Sequence, residues 1–348
     1  AEHDYMVSAK PVESSDVRAM DGLTQADNWG PQKIEVDKLW ANNVRGAGIV
    51  VAVVDSGMDT THPQLQNQIA FNAGEFGSDG HGGQKQNNHI DDDGNGYVDD
   101  YAGYDFSDIN PKPLAGDNQH HGTHVSGIVA AEHSDTTAKS APYVEGVAPA
   151  AKILPLAFLD KNGSGSMAHA VVAIQYAVAR GARVINASWG GSQCSQTLKE
   201  EIGSLEAKKI VFVAAAGNDS SNVDFSMEYP ASLNLGAMIT VGATGDHDYM
   251  ANYSNYGSRT VHIFAPGTNI VSTLPGGQMG YLSGTSMAAP FVSGASALLL
   301  GAVPDATPAQ VRQALYNSAF HSMNYLNASQ GRMDLASALN DLHAIVGH

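Results

Sequence analysis

Short, almost wholly apolar runs alternate with helical patterns along most of the chain, and this alternation limits the possible fold more than any other feature. The first run is rich in β-branched residues and ends at Asp55. Strands that are apolar on both faces suit a parallel sheet covered on both sides. The predicted strands are 49–55, 152–159, 184–188, 210–216 and 238–241. The predicted helices are 122–132, 166–180, 196–208, 286–300 and 308–317.

This order predicts an α/β domain built on a doubly wound, mostly parallel sheet with helices on both faces. The 348 residues could form two average domains, but no repeat or long linker divides them. Residues 1–28 are polar and lack clear periodicity, so they predict an N-terminal arm. Residues 29–348 are then expected to form one domain.

The chain is strongly acidic, with a formal net charge of −17 from 35 acidic and 18 basic residues. Such a surface repels nucleic acids and anionic membranes. It suits solubility, cation binding or basic substrates, and a solvated surface with no specific partner is an equal alternative. The single cysteine, Cys194, excludes an intrachain disulfide. No apolar run approaches the ~18 residues of a membrane span.

Residues 284–290 read Gly-Thr-Ser-Met-Ala-Ala-Pro and lead directly into an apolar stretch. The pattern predicts that Ser286 lies in the first turn of a buried helix. Unpaired N–H groups and the positive end of the helix dipole favour developing negative charge there. A serine hydroxyl is a weak nucleophile without a base, so a histidine and a carboxylate are needed elsewhere in the chain.

Histidines crowd into the segment His-His-Gly-Thr-His, at residues 120–124, just before an apolar helix. Chemistry alone does not choose among them, and each could also be a solvent-facing or a satisfied core histidine. His120 and His124 are four residues apart, a spacing that could place two zinc ligands on one helix face. The zinc-hydrolase pattern requires a glutamate between such histidines, and none is present.

Three motifs occur in a fixed order: Val-Val-Asp-Ser-Gly at 53–57, His-Gly-Thr-His-Val-Ser-Gly at 121–127, and the 284–290 motif. Together they resemble the three signatures of the subtilisin-like serine proteases, the subtilases. The resemblance extends from Trp29 to about Leu339 and includes Ser-Trp-Gly-Gly and Ala-Ala-Ala-Gly-Asn. It implies a three-layer α/β fold and a serine endopeptidase.

The resemblance implies a role for each catalytic residue. Ser286 is the expected nucleophile, His121 the base that takes its proton, and Asp55 the carboxylate that orients the imidazole. Asn218 and the Ser286 backbone N–H are expected to form the oxyanion hole. Two alternatives stay open: a catalytically silent member that uses the fold for binding, and an intracellular processing protease of narrow specificity.

A substrate cleft between two glycine-rich segments is also implied. The segments are Gly163-Ser164-Gly165 and Ser188-Trp189-Gly190. Glycine lets another backbone approach closely, and an extended peptide could pair between the segments as an added strand. Main-chain pairing predicts broad specificity. The alternative is that these glycines serve only tight turns.

The resemblance places a pocket for the residue before the scissile bond beside the second segment. It would be lined by Ser188, Trp189 and Gly190, with Ala215 and Gly217 on the opposite wall. Glu228 is expected at its far end, where it would favour Lys or Arg through a charge-assisted contact. The alternative is that Glu228 turns to solvent.

Residues 91–100 read Asp-Asp-Asp-Gly-Asn-Gly-Tyr-Val-Asp-Asp and predict a calcium loop that stabilises the native state. The pattern is similar to the first half of an EF-hand, but Ala102 replaces the bidentate glutamate. A solvated acidic loop is the alternative. A second calcium site of subtilases is in doubt, because Gln64 replaces an aspartate after His-Pro. The predicted ligands are Asp91, Asp93, Asn95, the Tyr97 carbonyl and Asp100.

The resemblance further implies protein or peptide substrates, no nucleic-acid or membrane partner, a monomer, and secretion. Subtilases are made with a pro-segment that assists folding and blocks the cleft. Residues 1–28 are too few for a complete pro-segment. They are expected to be either the tail of one or an extension of the mature chain packed on its surface.

Overall fold

The helices and strands follow one another as the alternating pattern predicts. The computed structural model describes residues 2–9, 27–80, 82–133 and 143–347. The helices are α1 (Trp29–Lys33), α2 (Asp37–Ala41), α3 (His121–Ala130), α4 (Met167–Ala179), α5 (Gln196–Ser204), α6 (Thr285–Ala302), α7 (Pro308–Ser318) and α8 (Ala338–Val346). The strands are β1 (Met6–Ser8), β2 (Val50–Asp55), β3 (Tyr104–Asp105), β4 (Lys112–Pro113), β5 (Lys152–Ala157), β6 (Ser164–Ser166), β7 (Val184–Ala187), β8 (Val211–Ala215), β9 (Met238–Thr244), β10 (Ile263–Pro266), β11 (Ile270–Leu274), β12 (Gln278–Leu282), β13 (Phe320–His321) and β14 (Gly331–Arg332).

The central sheet has the strand order β13-β14-β10-β9-β8-β7-β2-β5-β3-β4. Every pair from β14 to β3 is parallel, and only the two edge strands, β13 and β4, pair antiparallel. Two small antiparallel pairs stand apart from this sheet: β1 with β6, and β11 with β12. The predicted doubly wound, mostly parallel sheet is confirmed.

Strand β2 shows why the sheet is covered on both faces. Val51 and Val53 belong to the apolar cluster that contains α3 and α6, whereas Ala52 and Val54 belong to the cluster on the other face with α4. Successive side chains of a strand point to opposite faces, so an apolar run buries both. Helix, sheet and helix therefore form three layers.

Helix α6 carries the Ser286 motif through the centre of one layer. By length and composition its 18 residues could cross a membrane, but 89% of that window is buried inside the protein. Such burial is typical of a core helix.

Two predicted boundaries are wrong by a few residues. The helix predicted to end at residue 208 ends at Ser204, where the chain turns toward β8 through Lys209 with a φ of +57°. The strand predicted to end at Val241 continues to Thr244, because β10 pairs with those last residues. Of the predicted arm, Met6–Ser8 form β1, and residues 10–26 lie outside the described residues.

Candidate active site

Three separate elements bring Asp55, His121 and Ser286 to one side of the sheet. Asp55 is the last residue of β2, His121 opens α3, and Ser286 lies in the first turn of α6. All three are buried. Polar groups at the carboxyl ends of parallel strands gather at one edge, as this fold requires of a site.

His121 is held by Asp55 through a buried hydrogen bond of 2.8 Å between Nδ1 and Oδ1. A carboxylate only accepts, so Nδ1 carries the proton and Nε2 is left as the basic atom. Burial opposes charge on the ring, but the charge and hydrogen bond of Asp55, with a smaller contribution from Asp117, raise the pKa of His121. Within the described chain, His121 Nε2 is buried and makes no hydrogen bond.

Ser286 is positioned by the backbone around it. Gly284 precedes it with a φ of 151°, which only glycine adopts readily, and the Ser286 hydroxyl donates to the Ser188 carbonyl at 3.1 Å. Pro290 has no N–H to close the helical bond to the Ser286 carbonyl. The Ser188 hydroxyl donates to that carbonyl instead, at 2.8 Å.

Asn218 lies beside Ser286 on the wall of the same cleft. Its side-chain oxygen accepts hydrogen bonds from the N–H and the hydroxyl of Thr285, at 2.9 and 3.0 Å. These two bonds fix the orientation of the amide, so its NH₂ group points away from Thr285. The arrangement supplies an oriented N–H donor next to the serine.

Residues 6–9 lie between the two glycine-rich segments as an extended strand. On one side, β1 pairs antiparallel with β6, with Ser8 opposite Ser164. The Ala9 N–H continues this side by donating to the Gly163 carbonyl at 3.0 Å. On the other side, Ser8 and Gly190 exchange two backbone hydrogen bonds, of 2.9 and 3.0 Å. The segments thus already hold a peptide strand between them, and it belongs to the chain itself.

Glu228 reaches into the predicted pocket. A Cβ built on Gly190 would lie 2.7 Å from Glu228 Oε1, and one built on Gly217 would lie 3.4 Å from Glu228 Cγ. The side chain is therefore wedged between the two glycine walls, with Ala215 also lining the cavity. Trp189 packs beneath, fully buried, with its ring N–H donating to the Val54 carbonyl at 2.8 Å.

Among the described residues, the other two crowded histidines, His120 and His124, belong to no group spaced to hold a metal ion. His124 is fully buried, and its Nε2 lies 3.0 and 3.1 Å from the carbonyls of Ile270 and Gly280. Burial lowers its pKa to about 3, so it is neutral near pH 7. Across the described ranges, the one group of side chains spaced to hold a metal ion lies elsewhere.

That group, which we call the acidic cluster, consists of Glu75, Asp93 and Asp100. One oxygen from each lies within 4.8 Å of the others. Glu75 is fully buried, and its Oε1 accepts from the Asp92 N–H at 2.7 Å, but its Oε2 has no partner among the described residues. Burial, together with Asp100 and Asp93 nearby, raises the pKa of Glu75. A buried carboxylate oxygen without a partner, on a residue grouped with two more carboxylates, suits a hard cation.

Two amides bridge the acidic cluster. Asn72 Nδ2 donates to Asp93 at 2.9 Å and to Asp100 at 2.5 Å, and Asn95 Nδ2 donates to Asp100 at 2.9 Å. Asp91, by contrast, accepts the N–H groups of Gly94, Asn95 and Gly96 within its own loop. The structure thus brings Asp93, Asn95 and Asp100 together, and Tyr97 lines a cavity with Asp93 and Asn95. The Asp91 carboxylate is bonded within its own loop.

No sequence pattern pointed to Glu75 or Asn72. Both stand 16 residues or more before Asp91, and no spacing rule links them to the acidic loop. Asn72 opens a short helical turn, which brings Glu75 back beneath the loop. The contact of Glu75 and Asn72 with the acidic loop therefore depends on the tertiary fold and not on sequence spacing.

Gln64 stands at the position that put the second calcium site in doubt, and its side-chain amide bonds to Glu132 and Val144. Its Nε2 donates to the carbonyls of Glu132 and Val144, both at 2.8 Å, and its Oε1 accepts the Val144 N–H at 3.2 Å. A neutral amide therefore joins carbonyls at both ends of the segment 132–144, most of which lies outside the described residues.

Comparison with known proteins gives one consistent family. The model of the subtilase family matches residues 46–340. A thermophilic serine proteinase of Bacillus sp. (strain AK1) is 36% identical over 299 residues, which are 86% of this chain and 63% of that protein. Subtilisin E of Bacillus subtilis (strain 168) is 33% identical over 319 residues, 90% of this chain and 71% of the relative. The major intracellular serine protease of the same strain is 36% identical over 275 residues, 78% and 74% of the two chains.

Proposed function

The chain belongs to the subtilase family, and from this premise we propose that it is a serine endopeptidase. The observation that carries the proposal is the peptide strand of residues 6–9 held between the two glycine-rich segments, next to Ser286. A substrate peptide would take the place of this strand, with affinity from main-chain hydrogen bonds.

The proposed reaction begins when the Ser286 hydroxyl turns from the Ser188 carbonyl to His121 Nε2. Oγ attacks the substrate carbonyl, and Nε2 takes the hydroxyl proton while Asp55 stabilises the imidazolium. The carbonyl oxygen becomes an oxyanion that accepts N–H groups from Asn218 and Ser286. Collapse breaks the C–N bond, His121 returns the proton to the leaving amine, and water hydrolyses the acyl-enzyme by the same steps.

The strand register supports the assignment of Ser286. In antiparallel pairing, one step forward on one strand is one step back on the other. Ser8 lies opposite Gly190, so a substrate residue two positions past that of Ser8 would lie opposite Ser188. The Ser188 carbonyl is the one that accepts the Ser286 hydroxyl. The carbonyl of that substrate residue is therefore the one presented for attack.

The activity is tested with the Ser286→Ala variant and a sulfonyl fluoride. The parent chain is expected to hydrolyse casein and to form one adduct, located at Ser286 by mass spectrometry. The variant is expected to form no adduct and to lose activity by about 10⁶-fold, a magnitude known for subtilisin. A parent chain that forms no adduct and leaves casein intact would instead be a silent binding member of the family.

We propose that Glu228 gives a preference for Lys or Arg before the scissile bond, on top of otherwise broad specificity. Its wedged position between Gly190 and Gly217 places a carboxylate at the pocket wall. Matched peptides differing only in Lys or Phe at that position test the idea. Glu228→Gln is expected to lower kcat/KM for Lys by about 10-fold or more and to leave Phe little changed.

Asp219→Asn is the matched control, since Asp219 lines the same cavity but is exposed at its rim. It should change the Lys-to-Phe ratio by much less. A parent enzyme that prefers Phe would contradict the proposed preference.

Residues 6–9 are proposed to compete with substrate, in the manner expected of a pro-segment tail. Val7 is buried against the cleft, at 2% exposure, whereas Met6 on the opposite face of β1 is 63% exposed. Val7→Asp should weaken the strand and raise kcat/KM, mainly through a lower KM. Met6→Asp is the matched control and should have little effect. Equal rates in both variants and the parent would mean that the arm does not obstruct the cleft.

A calcium ion is proposed at the acidic cluster, held by Glu75, Asp93 and Asp100 with the amide oxygens of Asn72 or Asn95. Its role is stability, since a bound ion favours the native state. Asp91, which also accepts N–H groups of its own loop, and the Tyr97 carbonyl stay among the predicted ligands.

The remaining expectations are proposals about the protein as a whole. Residues 29–348 are proposed as the peptidase domain, acting on proteins or peptides as a secreted monomer without nucleic-acid or membrane partners. The net charge of −17 supports the expectation about nucleic acids. Secretion rests on the family resemblance, and one relative is named an intracellular protease. The oligomeric state can be measured by sedimentation of the Ser286→Ala variant, which does not digest itself.

A further inference from the structure

Asp117 joins the two elements that carry Asp55 and His121. Its Oδ1 accepts the Ser56 hydroxyl at 2.7 Å and the Gln119 N–H at 2.9 Å. Its Oδ2 accepts the Thr123 N–H at 2.8 Å and the Thr123 hydroxyl at 2.6 Å. One carboxylate thus receives four donors: one from the end of β2, one from its own loop and two from the first turn of α3.

The Ser56 hydroxyl extends this link to the base. It donates to Asp117 and accepts the N–H of Gly122, the residue after His121, at 2.9 Å. The Ser56 N–H donates to Asp55 Oδ1, the same oxygen that accepts His121 Nδ1. Asp55 and His121 are therefore joined directly and also through a second path, Ser56 and Asp117.

These bonds also complete the start of α3. The first N–H groups of a helix lack partners within it, and the residue at the cap position, His120, supplies no side-chain bond. Ser56 and Asp117 accept the N–H groups of Gly122 and Thr123 in its place. A negative charge at this end of the helix is favourable.

We propose that Asp117 is a positioning residue, which fixes His121 relative to Asp55 by joining the end of β2 to the first turn of α3. The inference rests on the proposed peptidase activity. It assigns to Asp117 no contact with substrate. If it is correct, loss of the link should lower kcat and leave KM nearly unchanged, because the cleft segments are untouched.

The charged and titratable groups near His121 make the pH profile informative. They are Asp55 at the end of β2, Asp117 in the loop before α3, His120 directly before His121 in the sequence, and His124 one turn farther along α3. Burial lowers the pKa of both neighbouring histidines and so disfavours positive charge on either ring. Asp55 and Asp117 are then the charges that favour the imidazolium.

The Asp117→Asn variant tests the proposal with little change of shape. An amide has one accepting oxygen, so its NH₂ must face either the Gln119 N–H or the Thr123 N–H in any orientation. We expect kcat to fall about 10- to 100-fold, the loss that misplacement of a catalytic group by about 1 Å can cause. The acid limb of kcat/KM should move to lower pH, because His121 loses a nearby negative charge and is deprotonated more easily.

Asp224→Asn is the matched control. Asp224 also accepts backbone N–H groups, from Arg259 and Thr260, but far from His121 along the chain. It should lower the melting temperature without moving the pH profile. Thr123→Ser, which keeps both donors to Asp117, should behave like the parent. If Asp117→Asn does not fold, Ser56→Ala removes the hydroxyl that joins Asp117 to the Gly122 N–H and leaves the bonds of Asp117 to Gln119 and Thr123, so it should lower kcat by a smaller factor.

The outcomes separate this inference from the proposed activity. An Asp117→Asn variant with the parent's kcat and acid limb would overturn the positioning role, as would an equal change in Asp224→Asn. If Ser286→Ala were as active as the parent, the peptidase proposal itself would fail.

Discussion

The catalytic centre and the acidic cluster both gather carboxylates, but they are held in different ways. Asp55 sits at the end of a central strand, and the bond to His121 compensates its charge. Glu75, Asp93 and Asp100 come from turns, and one of them keeps a buried oxygen without a partner in the described structure. Each site keeps one buried carboxylate oxygen without a partner among the described residues, Asp55 Oδ2 at the first and Glu75 Oε2 at the second. The first site has one carboxylate bonded to a histidine, whereas the second gathers three carboxylates, of which Asp100 is paired with Arg180 at 3.3 Å. Buried charge is costly unless it is paired.

Removing the charge at the first site should have the larger effect. Asp55→Asn keeps the shape but offers His121 Nδ1 an amide, which favours the wrong imidazole tautomer. We expect kcat to fall on the order of 10⁴-fold, the magnitude known for subtilisin and for other serine proteases. Steady-state kinetics on one peptide substrate measure it.

Asp105→Asn is its control, because Asp105 is also buried and also ends a strand of the same sheet. It should change stability with little effect on kcat. A comparable loss in both variants would show that buried strand-end carboxylates act through stability, and the contrast between the two sites would disappear.

Asn218→Ala should have the next largest effect. Removing the oriented amide should lower kcat by about 10²- to 10³-fold, the value known for the side-chain donor of the subtilisin oxyanion hole, with KM nearly unchanged. Thr285→Val removes the hydroxyl that orients the amide and should cause a smaller loss. A change in KM alone would assign Asn218 to substrate binding.

The two regions also differ in how far the sequence could predict them. The strand and helix pattern predicted the sheet, and the motifs predicted that Asp55, His121 and Ser286 would lie on three separate elements. Each of these residues lies at the end or the start of a regular element, and the apolar periodicity of such elements is visible in the sequence. Pro290 cannot donate the helical hydrogen bond to the Ser286 carbonyl. Only the folded structure shows that the Ser188 hydroxyl donates to that carbonyl instead.

At the acidic cluster the sequence was less informative. Its run of aspartates predicted three of the residues brought together but also Asp91, whose carboxylate caps its own loop. Glu75 and Asn72 come from a different turn, and their approach depends on the path of the chain between elements. Asp117 likewise stands four residues before His121, and only the folded structure shows which donors it accepts.

At the catalytic centre, the raised pKa of His121 predicts opposite pH trends for activity and for stability. Asp55 overcomes the effect of burial and raises the pKa of His121 above its ordinary value of about 6.5. Activity needs the neutral base, so kcat/KM should fall about tenfold per pH unit below the raised pKa. The stability that the charged pair contributes has the opposite trend: it is present at low pH and lost as pH rises through that pKa. A rate profile with its acid limb below pH 6 would contradict the raised pKa.

The smallest expected effect is at the acidic cluster, and it concerns stability. Thermal unfolding of the Ser286→Ala protein, with and without a calcium chelator, avoids self-digestion. Calcium at a hundredfold excess over Kd should add about 2.7 kcal/mol, which for a domain of this size is on the order of 5 °C in Tm. In the same background, Glu75→Gln should remove this increment.

The chelated Glu75→Gln protein should also be at least as stable as its chelated parent, because a buried charge beside two like charges is gone while the amide oxygen can still accept the Asp92 N–H. Glu200→Gln, on the exposed face of α5, removes the same charge elsewhere and should keep the calcium increment. A parent indifferent to calcium would show that the cluster's charges are balanced without an ion. If chelated Glu75→Gln were instead much less stable, the Glu75 carboxylate would be stabilising the loop by itself, and the two regions would be held in the same way.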